Sequence, residues 1–186
     1  IKDQNHRLES QVEKVLQFAN IDKKTLNLNI EEIDLHDVIL NVSENFNVNI
    51  EKKDGKMFFD LQATPGIIRA DKFHLTNIIY NLLDNAVKYS PEKPQITIRT
   101  LNKGSELLFV IKDNGVGIKK EHFKKVFDKF YRVPTGNIHN VKGFGIGLNY
   151  VKSIVDSHKW RIEIDSLPDK GSEFSIYIPV SNNVIK

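Results

Sequence analysis

The sequence predicts an α+β domain of two layers, in which a mixed, mostly antiparallel sheet is covered by helices and preceded by part of a coiled-coil helix. Three observations carry this expectation. A strongly patterned helix spans 72–89, opened by Asp71 as its cap and terminated by Pro91 and Pro94. Two pairs of short apolar segments read as antiparallel hairpins: 96–101 with 107–112, joined by a turn at Lys103-Gly104, and 162–164 with 174–178, whose alternation with polar residues turns one face to a core. Helices placed in sequence between antiparallel pairs build a two-layer sandwich.

The elements follow in order. Residues 1–22 are polar, with Ile1, Leu8, Val12, Val15 and Ala19 spaced by fours and threes and Asn5 completing the series, the pattern of a seam that wants a partner helix. Residues 25–33 read as a short strand, and 35–51 as an amphipathic helix with Asp34 at its N-cap. Segments 57–61 and 67–70 read as further strands, and Lys103-Gly104 turns the first hairpin. A glycine turn, a short helix, an irregular polar stretch over 132–142 and a second glycine turn then lead into a helix over 146–158. The stretch 132–142 holds Pro134, Gly136 and two asparagines, with Val133, Ile138 and Val141 scattered singly among polar residues, and is expected to be a lid ordered by phosphate contacts.

Composition narrows the classes. With 186 residues, 40% of them hydrophobic, the chain can bury one proper core and carry an appendage. A net charge of +3, spread over the whole length, leaves no basic block of the kind nucleic acid selects. The absence of cysteine removes disulfides, thiolate metal sites and cysteine nucleophiles, and is compatible with a reducing compartment such as the cytoplasm. No apolar run approaches the roughly 20 residues that span a bilayer, and no signal peptide opens the chain. The start at Ile1, without methionine and already in a helical pattern, points to a fragment of a longer chain.

Three constellations carry chemistry. On the helix over 72–89, Asn77, Asn81, Asp84, Asn85 and Lys88 fall within one arc of about 100 degrees, opposite Leu75, Ile79, Leu82, Leu83 and Ala86. A merely solvated face would favour Lys, Glu, Gln and Arg; asparagine is a poor helix former, so three on one stripe call for a function. A carboxamide offers a neutral oxygen to a hard cation such as magnesium, which usually takes only one or two protein oxygens when it is shared with substrate phosphates. Next, Asp113-Asn114-Gly115-Val116-Gly117 places a carboxylate at a strand end, where Asp113 can accept from a purine amino group while the glycines let a ligand lie close to the backbone. Such a turn is also ordinary hairpin punctuation. Finally, Lys142-Gly143-Phe144-Gly145-Ile146-Gly147-Leu148 sets three glycines immediately before a helix, presenting backbone N–H groups to an anion. Its spacing matches neither the common phosphate loop nor the dinucleotide fingerprint.

Together these motifs resemble those of sensor histidine kinases. Asn81-Leu82-Leu83-Asp84-Asn85-Ala86-Val87-Lys88-Tyr89-Ser90 is similar to the family's N box, and Asp113-x-Gly115-x-Gly117 to its first glycine box. Phe127-Asp128-Lys129-Phe130-Tyr131-Arg132 resembles the phenylalanine box, and Gly143-x-Gly145-x-Gly147-Leu148 the second glycine box. The resemblance implies the GHKL nucleotide-binding fold, with residues 1–22 as the end of the dimerisation helix and 23–186 as the catalytic domain binding ATP and Mg2+. It implies that Asn85 coordinates the magnesium, that Asp113 binds the adenine amino group and that Asn81 assists at the phosphates. Lys88, Tyr89, Arg132 and Lys142 are implied near phosphates or ribose, Tyr131 near the base, and Gly143, Gly145 and Gly147 around the phosphates. Related ATPases hold a water-activating glutamate where Asn81 stands, a replacement that favours transfer to a histidine over hydrolysis. The resemblance further implies a homodimeric parent anchored in the inner membrane, with a phosphoacceptor helical domain and a response regulator receiver domain as partners.

Two departures accompany it. The last glycine box here reads Asp169-Lys170-Gly171-Ser172-Glu173-Phe174, without the family's first glycine, and Ser172 is the expected support for Asp113. None of the six histidines stands in the family's phosphoacceptor context; His36 is followed by Asp37 but then by Val38-Ile39. The expected activity is therefore ATP-dependent transfer to a histidine outside this chain. A non-catalytic nucleotide-responsive module and a serine kinase of the anti-sigma type are the alternatives, the latter opposed by the coiled-coil pattern.

Overall fold

The computed structural model describes residues 26–90, 92–134 and 144–180. The coiled-coil expectation for 1–22, the sites at Lys142 and Gly143, and most of the expected lid lie outside them. The chain forms strand β1 (Ile30–Asp34), helix α1 (Leu35–Glu51), strands β2 (Lys56–Leu61) and β3 (Ile67–Asp71), and helix α2 (Lys72–Tyr89). These are followed by the hairpin β4 (Gln95–Lys103) and β5 (Glu106–Lys112), helix α3 (Gly147–Ser157), and the hairpin β6 (Arg161–Ser166) and β7 (Ser172–Pro179).

Both long helices start where a side chain can satisfy their first N–H groups. Asp34 accepts from His36 N at 2.8 Å, and Asp71 accepts from His74 N at 3.0 Å; such caps stabilise a helix by about 1 kcal/mol each. Of the strand expected over 25–33, residues 26–29 stay outside β1, which begins at Ile30; the Asn29 N–H is given to the Asp71 carboxylate at 2.8 Å instead of to a strand partner. The short helix expected after the first glycine turn is two single 3-10 turns, Lys120–His122 and Lys125–Phe127, too short to bury a face of their own.

β1 and β3 pair antiparallel as a separate ribbon, while the main sheet runs β2-β4-β5-β7-β6. Only β2 and β4 are parallel, since α2 lies between them in the chain and carries it back across the sheet. Ile96, Ile98, Leu107, Phe109, Ile111, Phe174, Ile176 and Ile178 form the inner face of this sheet. Packed over them are Leu35, Ile39, Phe46 and Ile50 of α1, Leu75, Ile79, Leu82 and Leu83 of α2, and Val151, Ile154 and Val155 of α3. The opposite face stays polar, carrying the Arg99–Glu173 ion pair at 3.1 Å and Arg161 stacked 3.6 Å from the Tyr177 ring centre. This is the two-layer architecture expected, with a mixed, mostly antiparallel sheet. Among the described residues, no helix is long and apolar enough to cross a membrane.

The end of α3 is tied to the start of α2. His158 Nε2 accepts the Asp71 backbone N–H at 3.0 Å and Nδ1 donates to Ile154 O at 2.9 Å, which fixes the ring as neutral. His74 meets the Tyr150 hydroxyl at 2.7 Å in the same junction. Burial pushes both imidazoles below their ordinary value of 6.5, despite the nearby Asp71 carboxylate. The unfolded chain therefore takes up protons near that value while the folded chain resists them, so stability present above it is lost as pH falls through the depressed folded pKa. The melting temperature is expected to drop between about pH 7.5 and about pH 5.5, and to drop less in His158→Gln, as followed by circular dichroism.

Candidate functional site

The polar stripe of α2 is half-buried rather than wet. Asn77 Nδ2 donates to Phe73 O at 3.0 Å and Asn81 Nδ2 to Asn77 O at 2.8 Å, which gives one amide hydrogen of each to the helix and turns the amide oxygens away from those carbonyls. Asn81 Oδ1 lies beside the first turn of α3: a Cβ added at Gly147 would sit 2.8 Å from it. That turn has no side-chain cap, since Ile146 occupies the N-cap position, and an uncapped helix start of this kind favours an anion. One turn along α2, the Asn85 carboxamide has no hydrogen-bond partner among the described residues. Lys88 pairs with Asp84 on the same helix instead of standing free.

At the other end, Asp113 closes β5 and is 7% exposed. Its Oδ1 accepts from Gly115 N at 2.8 Å and from Ser172 N at 3.2 Å, while Oδ2 takes no bond from the described residues. Burial raises the carboxyl's pKa and the two backbone donors only partly offset it. A carboxylate held this way lacks one donor on its open oxygen, which is what a ligand amino group supplies. The surrounding loop leaves no room for side chains. A Cβ on Gly115 would meet Tyr89 O at 2.4 Å, and one on Gly171, at φ +85°, would meet Asp113 O at 1.9 Å.

Ser172 supports Asp113 through its backbone N–H, not its hydroxyl. Ser166 Oγ donates to Gly171 O at 2.7 Å and accepts from Ile118 N at 2.8 Å, so the Ser172 hydroxyl, 3.0 Å away, donates to it. Tyr131 is turned to His122, its hydroxyl 2.7 Å from Nδ1, and Arg132 is exposed beside it. Phe130, at φ +65°, donates its N–H to Gly145 O at 3.0 Å, and this close approach needs a glycine at position 145, where φ is +69°. Leu148 is half-buried against the core.

The geometry thus draws Asn81, Gly147 and the start of α3 together, and joins Asp113, Gly115, Tyr89 and Ser172 through hydrogen bonds and close packing. Sequence reasoning passed over Asn114, whose amide clamps Lys93 O and Gln95 N, and Asn149, which donates to Phe127 O at 2.9 Å. It also passed over Ser166, for which the signal was its place opposite Ser172 at the closing pair of the last hairpin.

A deep carboxylate beside glycines, an unpaired amide on a helix and an open helix start define a nucleotide-binding α+β domain. Residues 70–182 match the family described as Histidine kinase-, DNA gyrase B-, and HSP90-like ATPase, and the chain belongs to that family. It is similar to sensor protein RprX of Bacteroides fragilis, 48% identical over 185 residues, 98% of this chain and 36% of the relative. The chain therefore spans about a third of the length of this curated relative. Among solved structures it resembles full-length ShkA in complex with AMPPNP, with TM-score 0.82 and 22% identity over 95% of this chain and 36% of that one. It also resembles histidine kinase ThkA in complex with response regulator protein TrrA, with TM-score 0.74 and 22% identity over 97% and 49% of the two chains. The domain is an ATPase-fold catalytic domain of the kind sensor histidine kinases carry.

Proposed function

We propose that this domain binds ATP with magnesium and, as part of a longer homodimeric protein anchored in the inner membrane, passes the γ-phosphoryl group to a histidine of a companion helical domain. In this reading residues 1–22 are the end of that helical domain and 23–186 the catalytic domain. A response regulator receives the phosphoryl group next, a partner of the kind with which ThkA was solved. Asp113 holds the adenine amino group with Tyr131 at the base, and Gly143, Gly145, Gly147 and Leu148 line the phosphate side with Asn81. Lys88, Tyr89, Arg132 and Lys142 serve the phosphates and ribose, Lys88 by exchanging Asp84 for the nucleotide. Asn85, with its unpartnered amide oxygen, is the protein ligand that fits a magnesium ion otherwise held by phosphates and water. The ion would supply charge neutralisation on the phosphates.

The observation that supports transfer over hydrolysis is the neutral amide of Asn81 beside the phosphate-facing start of α3. Activating water requires a base there, and an amide is none. Transfer needs only that an imidazole nitrogen be aligned: its lone pair bonds to the γ-phosphorus as the bond to the bridging oxygen breaks and ADP leaves. The histidines of the described residues are engaged elsewhere, His36 with Thr100, His74 with Tyr150, His122 with Tyr131 and His158 with Asp71. With radiolabelled ATP and magnesium, this chain alone is expected to stay unlabelled, and adding the helical domain in trans to produce an acid-labile phosphoramidate on that domain's histidine. Stoichiometric labelling of the chain by itself overturns the assignment of the acceptor, and a parent protein that binds ATP but never labels makes the domain a nucleotide-responsive module.

A further inference from the structure

We propose that Lys53, which lies outside all the nucleotide motifs, is a positioning residue for the adenine side of the site and acts through the last turn of α2. The inference rests on the ATP reading above. Helix α2 ends at Tyr89, with Ser90 extended and no glycine to close the turn, so its last carbonyls need outside donors. Lys53 provides them: Nζ donates to Val87 O at 2.9 Å and to Ser90 O at 3.3 Å. A half-buried ammonium also sits favourably at the negative end of the helix. The Lys53 carbonyl in turn accepts from Lys93 N at 3.2 Å, and Lys56 N donates to Pro94 O at 2.7 Å, so the connection after α1 is stitched to the connection after α2.

That second connection is also where the adenine loop is anchored. Tyr89 O, between the two carbonyls that Lys53 grips, accepts from Val116 N at 3.0 Å. Asn114 donates to Lys93 O at 3.3 Å and accepts from Gln95 N at 2.8 Å. Gly115 lies so close to Tyr89 O that a Cβ there would be 2.4 Å from it. Every one of these loop contacts lands within 89–95, and Lys53 is the charged side chain that grips the last turn of α2, at Val87 and Ser90, from which that segment departs. Without it the turn frays, Tyr89 O leaves Val116 N, and Asp113 loses its alignment to the base. Asn85 lies a full turn further into the helix and keeps its place.

The expected signature is loss of affinity without loss of chemistry. In titration calorimetry of this chain with magnesium ATP, Lys53→Met is expected to weaken binding roughly 3- to 10-fold, the size of a charge effect at a helix C-terminus, and to weaken ADP by the same factor. Lys53→Arg is expected to restore affinity, and the amide resonances of Gly115 and Val116 to shift in Lys53→Met and return in Lys53→Arg. With the helical domain added, KM for ATP rises while kcat holds. Should Lys53→Met unfold the chain, Lys53→Gln, which keeps a donor and drops the charge, carries the same comparison. Unchanged ATP affinity in a folded variant, a fall in kcat at constant KM, or failure of arginine to rescue overturns the role of Lys53 while the ATP reading stands. Failure of the unsubstituted chain to bind ATP overturns that reading, and this one with it.

Discussion

Asn85→Ala is expected to lower phosphoryl transfer to the helical domain by on the order of 100-fold or more, the scale of losing a group that stabilises transition-state charge. The fold will not suffer. The Asn85 amide makes no hydrogen bond among the described residues, and alanine is the better helix former by about 0.5 kcal/mol, so the melting temperature should hold or rise slightly. Activity and stability then move in opposite directions, which a packing residue does not produce. Labelling of the helical domain with radiolabelled ATP, measured beside a thermal melt, checks both. A variant that transfers normally overturns the proposed role of Asn85 as a magnesium ligand.

Asp113→Asn is expected to weaken ATP by about 1.5 to 3 kcal/mol, roughly 10- to 150-fold, the range for a hydrogen bond to a charged group. The substitution is a sharp one because an asparagine oxygen can keep the bonds that Gly115 N and Ser172 N make to Oδ1. What changes is the open position, where Oδ2 becomes an NH2 that would face the amino group of an adenine bound as proposed, donor against donor. The same geometry predicts that the unsubstituted chain prefers ATP and ADP to GTP, since guanine presents a carbonyl there. Equal affinities for ATP and GTP in calorimetry would remove the adenine role from Asp113.

Much of the framework was legible because its signals are local. Asp34 and Asp71 cap α1 and α2 at the residues expected, and the turn at Lys103-Gly104 gave the pairing of β4 with β5. The parallel pairing of β2 with β4 had no such signal: Lys56 and Gln95 meet only because α2 carries the chain back, and nothing near either residue encodes the other. The same limit applies to the site. Asp113 and Asn85 stand in recognisable motifs, whereas Lys53 reaches across 37 residues to Ser90 from an unremarkable loop. Lys88 shows the reverse case. Its four-residue spacing from Asp84 announces an ion pair by elementary helix geometry, while the resemblance alone sent it to the phosphates.

The Asp113 cradle is finished from the far side of the chain. Ser172 N and the bare backbone of Gly171 reach it from the last hairpin, 59 residues beyond Asp113 in the case of the Ser172 bond. A growing polypeptide released from the ribosome only as far as α3 would own its N box and both glycine turns, yet its aspartate would stand unclosed. If nucleotide binds at Asp113 as proposed, it favours by mass action the chains in which the last hairpin has already docked, and a truncation before β7 should bind it weakly.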